Sequence, residues 1–174
     1  MIQYKGIVAR AIMLVVVCGT VCYPAYGRFI RVAVSAEDRS DSNNTSPQTQ
    51  EVIKELYPNG KVKSETPVTG GKIHGKKKLF SESGSVIKEE EYRDGKKDGL
   101  SIEYYDDGTV KGHETFRDDR LNGDCFMNYP NGQKMMAGQC ADGKKTGKWT
   151  LFHSNGNKYM EGNYADGVME GVWR

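Results

Sequence analysis

Glycine recurs along this chain with a fixed period. Gly60, Gly84, Gly108, Gly132 and Gly156 stand 24 residues apart, and a second series, Gly71, Gly95, Asp119, Gly143 and Gly167, follows eleven residues behind. A third series, Gly75, Gly99, Gly123, Gly147 and Gly171, comes four residues later without a gap. Fourteen of the fifteen positions are glycine, and the exception is Asp119, a residue type that tolerates left-handed turns better than most. With 21 glycines in 174 residues, composition alone does not produce that register. Self-similarity at such a period marks a repeat architecture, so residues 52–174 read as one small unit repeated about five times.

Each glycine series has its own local role. The first closes turns such as Tyr57-Pro58-Asn59-Gly60, Tyr105-Asp106-Asp107-Gly108, Tyr129-Pro130-Asn131-Gly132 and His153-Ser154-Asn155-Gly156. Asn-Gly and Asp-Gly between apolar runs are strong hairpin signals, because the reversal needs a positive φ. A strand of about eight residues follows. Its even positions are mainly apolar (Val62, Val86, Val110, Met136, Met160, then Val68, Tyr92, Phe116, Cys140, Tyr164) and its odd ones mainly polar, although Met135 and Tyr159 break the pattern. Asp94-Gly95, Asp142-Gly143 and Asp166-Gly167 make a second turn, and the third glycine opens a return strand. No window carries a helical stripe. The expected fold is all-β, with each unit a hairpin and successive hairpins extending one antiparallel sheet, since a lone hairpin is only marginally stable.

Units of the form Y-x-N-G-x(7)-Y/F-x-D-G-x(3)-G-x-W resemble the MORN repeat, in particular the bacterial MORN repeat variant, found in proteins often labelled YwqK-type antitoxins. The resemblance spans about Val52 to Arg174 and is clearest from Tyr129 onward. It is weakest in Tyr57 to Phe80, where Pro67 and Lys76-Lys77-Lys78 depart from the pattern. It implies an elongated, twisted, single-layer antiparallel sheet of about five 24-residue hairpins serving as an interaction scaffold. It implies no catalytic activity and no cofactor.

The N-terminus has a different character. Lys5 and Arg10 precede the apolar run Ala11 to Val21, and Ala25-Tyr26-Gly27 supplies small residues at the −3 and −1 positions of a cleavage site. Residues 1–27 are therefore expected to be a signal peptide, with an uncleaved N-terminal anchor as the alternative. Export to the periplasm, cell envelope or medium follows from that reading. Cys18 and Cys22 are preceded by Val17 and Val21, where lipoprotein processing calls for a small residue. Residues 28–51 are expected to be a disordered linker, because EDRSDSNNTSPQTQ within them has almost nothing to bury.

Charge narrows the function classes. From Ile53 to Arg174 the chain carries 20 Lys and Arg against 19 Asp and Glu, which argues against a dedicated nucleic-acid binder. His74, His113 and His153 fall in three different phases of the repeat, so the register does not stack them into a ligand column. With no metal-site spacing and no phosphate-cradling loop, no enzyme activity, metal, cofactor or small-molecule substrate is expected. Cys125 and Cys140 lie on two arms of one hairpin. They are within reach of pairing in an oxidising compartment, but a tight turn at Asn131-Gly132 places Cys125 nearer Ala137, which favours two half-buried thiols.

Two surface features remain. Lys72, Lys96, Arg120 and Lys144 follow the second turn and form a candidate ladder for an anionic membrane surface or acidic partner. Turn solvation is the simpler account, because Asp94, Asp118, Asp142 and Asp166 stand beside them. A single-layer sheet cannot hide both faces, so some of Tyr105, Tyr129, Trp149, Tyr159 and Trp173 should stay accessible as anchors for a protein partner. The leading expectation is an exported, non-enzymatic scaffold for protein–protein interaction. An immunity protein neutralising a toxin and a peripheral membrane-binding repeat protein are the alternatives.

Overall fold

The computed structural model describes Phe29–Val34 and Gln50–Arg174; the expected signal peptide at 1–27 and most of the expected linker lie outside these residues. Among these residues every regular element is a strand. They are β1 (Phe29–Val34), β2 (Gln50–Leu56), β3 (Val62–Thr69), β4 (Lys72–Ile73), β5 (Gly75–Phe80), β6 (Val86–Arg93), β7 (Lys96–Tyr104), β8 (Val110–Arg117), β9 (Arg120–Asn128), β10 (Lys134–Ala141), β11 (Lys144–Phe152), β12 (Lys158–Ala165) and β13 (Val168–Glu170). They form one open antiparallel sheet in sequence order, with the short β4 paired to β3 off the main path. At about 4.8 Å between neighbours, the row extends roughly 50 Å across its strands.

The two turn types follow from local chemistry. Between β2 and β3, Gly60 N–H donates to Tyr57 O and Tyr57 N–H to Lys61 O, and Gly60 sits at φ 83°. That is a three-residue loop with a glycine bulge. It recurs at Tyr105, Tyr129 and His153 with the same two bonds. The Asn or Asp before the glycine braces each loop: Asn59, Asp107, Asn131 and Asn155 accept through Oδ1 from the backbone N–H two residues on, at 2.8–3.1 Å. The second turn is a two-residue reversal with both residues at positive φ, as in Asp94 (51°) and Gly95 (90°). Asp119 keeps this geometry at φ 67°, confirming that Asp fills the one glycine gap in a left-handed conformation.

Neighbouring units are joined by more than strand pairing. The second-turn N–H donates back to the preceding unit at four turns: Gly95 to Ile73 O, Asp119 to Lys97 O, Gly143 to Leu121 O and Gly167 to Lys145 O, all at 2.8–3.0 Å. Each turn is thus tied to one 22 residues earlier, and the 24-residue period is written into the hydrogen bonds.

The structure corrects the linker boundary. Phe29–Val34 pairs with β2 over six positions, from Phe29 opposite Glu55 to Val34 opposite Gln50. β2 is itself the return-strand half of a unit, and β1 covers the edge it would otherwise leave open. In the first unit β3 pairs β5 at Ser64–Leu79 and Glu65–Lys78 and resumes with β4 at Val68–Ile73. The break beside Pro67 recurs at the equivalent place, Glu90/Tyr92 and Glu114/Phe116, in units without proline, so it belongs to the repeat.

A single layer has little core. Among the described residues the buried apolar side chains are Cys125, Cys140 and Trp149, with Leu121, Met136, Tyr164 and Trp173 packed against them. Stability therefore rests on ladder hydrogen bonds and cross-strand pairs rather than on a hydrophobic interior.

Candidate functional site

Opposed residues in a ladder point to the same face, so the register sorts the side chains. Glu114 faces Cys125, Gly138 faces Cys125 from the other side, and Cys140 faces both Gly123 and Lys145. This face, the one carrying Cys125, holds all three buried apolar residues. On it lies a groove of about 310 Å³. Its lining includes Lys88, Ser101, Glu103 and Glu114, then Leu121, Met127, Met136, Lys145 and Trp149, together with Cys125 and Cys140.

The 24-residue step explains why the groove lies there. Trp173, Trp149, Cys125 and Ser101 occupy one repeat position, and Tyr164, Cys140, Phe116 and Tyr92 another. At the junction of the fourth and fifth units the two positions are filled by Trp149 and Tyr164, whose rings meet edge to face at 5.8 Å. One step earlier they hold Cys125 and Cys140. Two thiols fill far less space than two aromatic rings, and the groove opens over them.

A matching exchange occurs on the facing strand. Trp149 lies over Gly138 and Trp173 over Gly162, where an added Cβ would overlap the indole. At the equivalent positions of earlier units Glu114 faces Cys125 and Glu90 faces Ser101. A large residue on one strand is met by a small one on the other, and the order inverts halfway along the array. The recurrence of Gly138 and Gly162 with Trp149 and Trp173 was present in the chain at 24-residue spacing; reading glycine only as a turn former misses it.

The polar end of this face is organised around Glu90, only 6% exposed. Its carboxylate accepts from Lys97 Nζ at 2.7 Å, lies 3.4 Å from Lys88 Nζ, and takes a 3.3 Å bond from the Tyr92 hydroxyl. Burial pushes the Glu90 carboxyl upward, but the bound Lys97 and the neighbouring Lys88 outweigh it and hold it below the usual carboxylate range. Lys97 is in turn held above the usual lysine range, burial opposing and Glu90 prevailing.

The candidate anchors separate into distinct environments. Trp149 is 2% exposed and its indole N–H donates to Gln139 O at 3.1 Å, so the expectation of an accessible Trp149 is corrected: the glycine beneath it lets it sink onto the sheet. Trp173 is half-buried over Gly162 and meets Tyr164 edge to face at 5.3 Å. Tyr105 and Tyr129 are half-buried, with hydroxyls tied to carbonyls of the next unit. Tyr159 alone of the five is well exposed, at 57%, against His153.

Lys72, Lys96, Arg120 and Lys144 are all exposed at one margin of the sheet. Lys96 Nζ lies 3.1 Å from Asp118 and Lys144 Nζ 3.5 Å from Asp166, each pairing with the following unit's turn. Cation and carboxylate thus alternate along this margin, and such exposed pairs are individually weak. The histidines lie in separate settings, His74 beside Asp94, His113 against Phe126 and His153 against Tyr159. Among the described residues no three His, Cys, Asp or Glu side chains converge in a metal-holding group.

The geometry finds its counterpart among protein families. The MORN repeat variant model matches residues 52–68, 73–94, 97–118 and 145–166, just under half of the chain. The interval it passes over, 119–144, contains Asp119, Cys125 and Cys140. No curated protein matches the chain.

Proposed function

From the premise that this chain is a scaffold of MORN repeat variant units, we propose that it binds another protein through the groove on the Cys125 face. The observation that carries this reading is the groove's mixed lining. Met127 is 39% exposed there, beside the half-buried Met136, and the charged Lys88, Glu103, Glu114 and Lys145 surround them. Methionine is adaptable and suits a contact surface that must mould to a partner's apolar side chain. The rim charges suit orientation of that partner. Nothing in this arrangement calls for bond-making chemistry, and the scaffold is read as non-enzymatic.

Export supports this role by placing the scaffold where an extracytoplasmic partner is met; it rests on the Ala11–Val21 run and the Ala25-Tyr26-Gly27 site. A toxin, the partner type implied by the YwqK-type resemblance, is one occupant the following experiment identifies. Tagged protein is cross-linked and recovered from the exported fraction, in parallel with Met127→Glu. A stoichiometric partner on the wild type, lost from M127E with folding intact, is the expected result. Recovery of the same partner by M127E, or none by either, would overturn the proposal.

A further inference from the structure

Cys125 and Cys140 lie on neighbouring strands at the junction between two repeat units, and each faces a glycine across the β9–β10 ladder: Cys125 opposite Gly138, Cys140 opposite Gly123. With no Cβ opposite either residue, the two side chains lean diagonally toward each other. Their Sγ atoms come within 2.6 Å. The expected half-buried, separated thiols are thereby corrected, since both are buried, at 5% and 4% exposure, and in contact.

We propose that Cys125 and Cys140 are a disulfide-forming pair that staples the third hairpin to the fourth across the floor of the groove. Two observations converge on it. The Sγ separation leaves only a small movement to the bonded distance of about 2.05 Å. In the next unit the same two positions hold Trp149 and Tyr164, so this junction lacks the aromatic contact of its neighbour, and a covalent link supplies an alternative tie.

The chemistry is thiol–disulfide exchange. Both S–H bonds break and one S–S bond forms; two electrons and two protons pass to a disulfide oxidant, either an oxidoreductase disulfide or oxidised glutathione, which is reduced to two thiols. Burial pushes the Cys125 thiol upward, so its nucleophilic thiolate is scarce in the folded sheet. Exchange accordingly proceeds while β9 and β10 are open, and the finished bond is shielded from reductant. The need for an oxidising compartment rests on the proposed export; the test below supplies the oxidant and is independent of it.

The full chain is unfolded, refolded in a buffer of oxidised and reduced glutathione, quenched with acid and alkylated without reduction. Tryptic peptides Leu121–Lys134 and Met135–Lys144 should be recovered joined, two mass units below their summed thiol forms. The same preparation, compared before and after reduction, should melt about 5–15 °C lower once reduced. Recovery of the two peptides separately alkylated or carrying glutathione would overturn the proposal, as would linkage of either cysteine to Cys18 or Cys22. So would a joined pair whose reduction leaves the melting temperature unchanged, because the bond would then staple nothing. No substituted variant is needed, so a failure to fold cannot obscure the answer.

Discussion

The Tyr105 hydroxyl donates a 2.7 Å hydrogen bond to the backbone carbonyl of Asn128, 23 residues further along the chain. The same strut runs from Tyr57 to Phe80 at 2.7 Å and from Tyr129 to Phe152 at 2.9 Å. A tyrosine that opens one turn thus holds the end of the return strand in the next unit. Ser81 and His153 occupy the same position of the repeat in the remaining units. Removing the hydroxyl alone, in Tyr105→Phe or Tyr129→Phe, should cost about 1 kcal/mol each while leaving the ring packed. Urea unfolding checks this, and an unchanged midpoint in both variants would mean the struts contribute nothing.

Asp119 offers a cleaner separation of two local effects. It sits at φ 67°, where a side chain is unfavourable, yet its carboxylate accepts a 2.7 Å bond from Lys97 N–H. Asp119→Ala loses the bond and keeps the backbone strain, and should destabilise by roughly 1–2 kcal/mol. Asp119→Gly loses the bond but relieves the strain, and should fall within about 0.5 kcal/mol of the parent. If both variants unfold at the same denaturant concentration, this explanation of the missing glycine is wrong.

The glycines beneath the tryptophans should differ in their tolerance. Gly138→Ala drives a methyl into the Trp149 indole, which is 2% exposed and has little room to withdraw. A loss of about 3 kcal/mol follows from the forced repacking. Gly162→Ala meets Trp173 in the same way, but that ring is half-buried, with exposed Val172 and Arg174 beside it, and can lift away at smaller cost. Thermal melts of the two variants should therefore rank G138A below G162A, and the reverse order would refute the argument.

Glu90 gives the array a specific pH response. Its folded pKa lies below the ordinary value, so its contribution is present above the unfolded pKa, near 4.5, and is lost as pH falls through the lower folded value. Glu90→Gln leaves Lys97 and Lys88 without their shared carboxylate and should cost roughly 2–3 kcal/mol at pH 7. At a pH well below 4.5, toward the lowered folded value, the gap between the two proteins should shrink. Chemical denaturation at both pH values measures it; a constant difference would assign the effect to packing instead.

Much of this architecture could be read from residue spacing. Gly60 and its equivalents demanded turns, Asp94-Gly95 and its equivalents demanded reversals, and the alternation between them demanded strands. Pro67 marks the first unit as irregular in sequence, but the ladder break beside it recurs at the same place in units without proline. What spacing did not show was the accessibility of Trp149. The exposure of a large side chain depends on what faces it, and Gly138 comes from another strand. Nor did it show that Phe29–Val34 joins the sheet, since that pairing is made with β2 across an intervening stretch of chain.

The periodic residues by themselves determined the turns, the hairpins and the sequential strand order, because a positive φ is demanded within two or three bonded residues and needs no distant partner. Tertiary structure alone decided how the two faces differ. Cys125 meets Cys140 diagonally, Glu90 gathers two lysines and a tyrosine, and a groove opens where two thiols replace two rings. These outcomes depend on side chains brought together across strands, where volume and charge must be matched in space rather than along the chain.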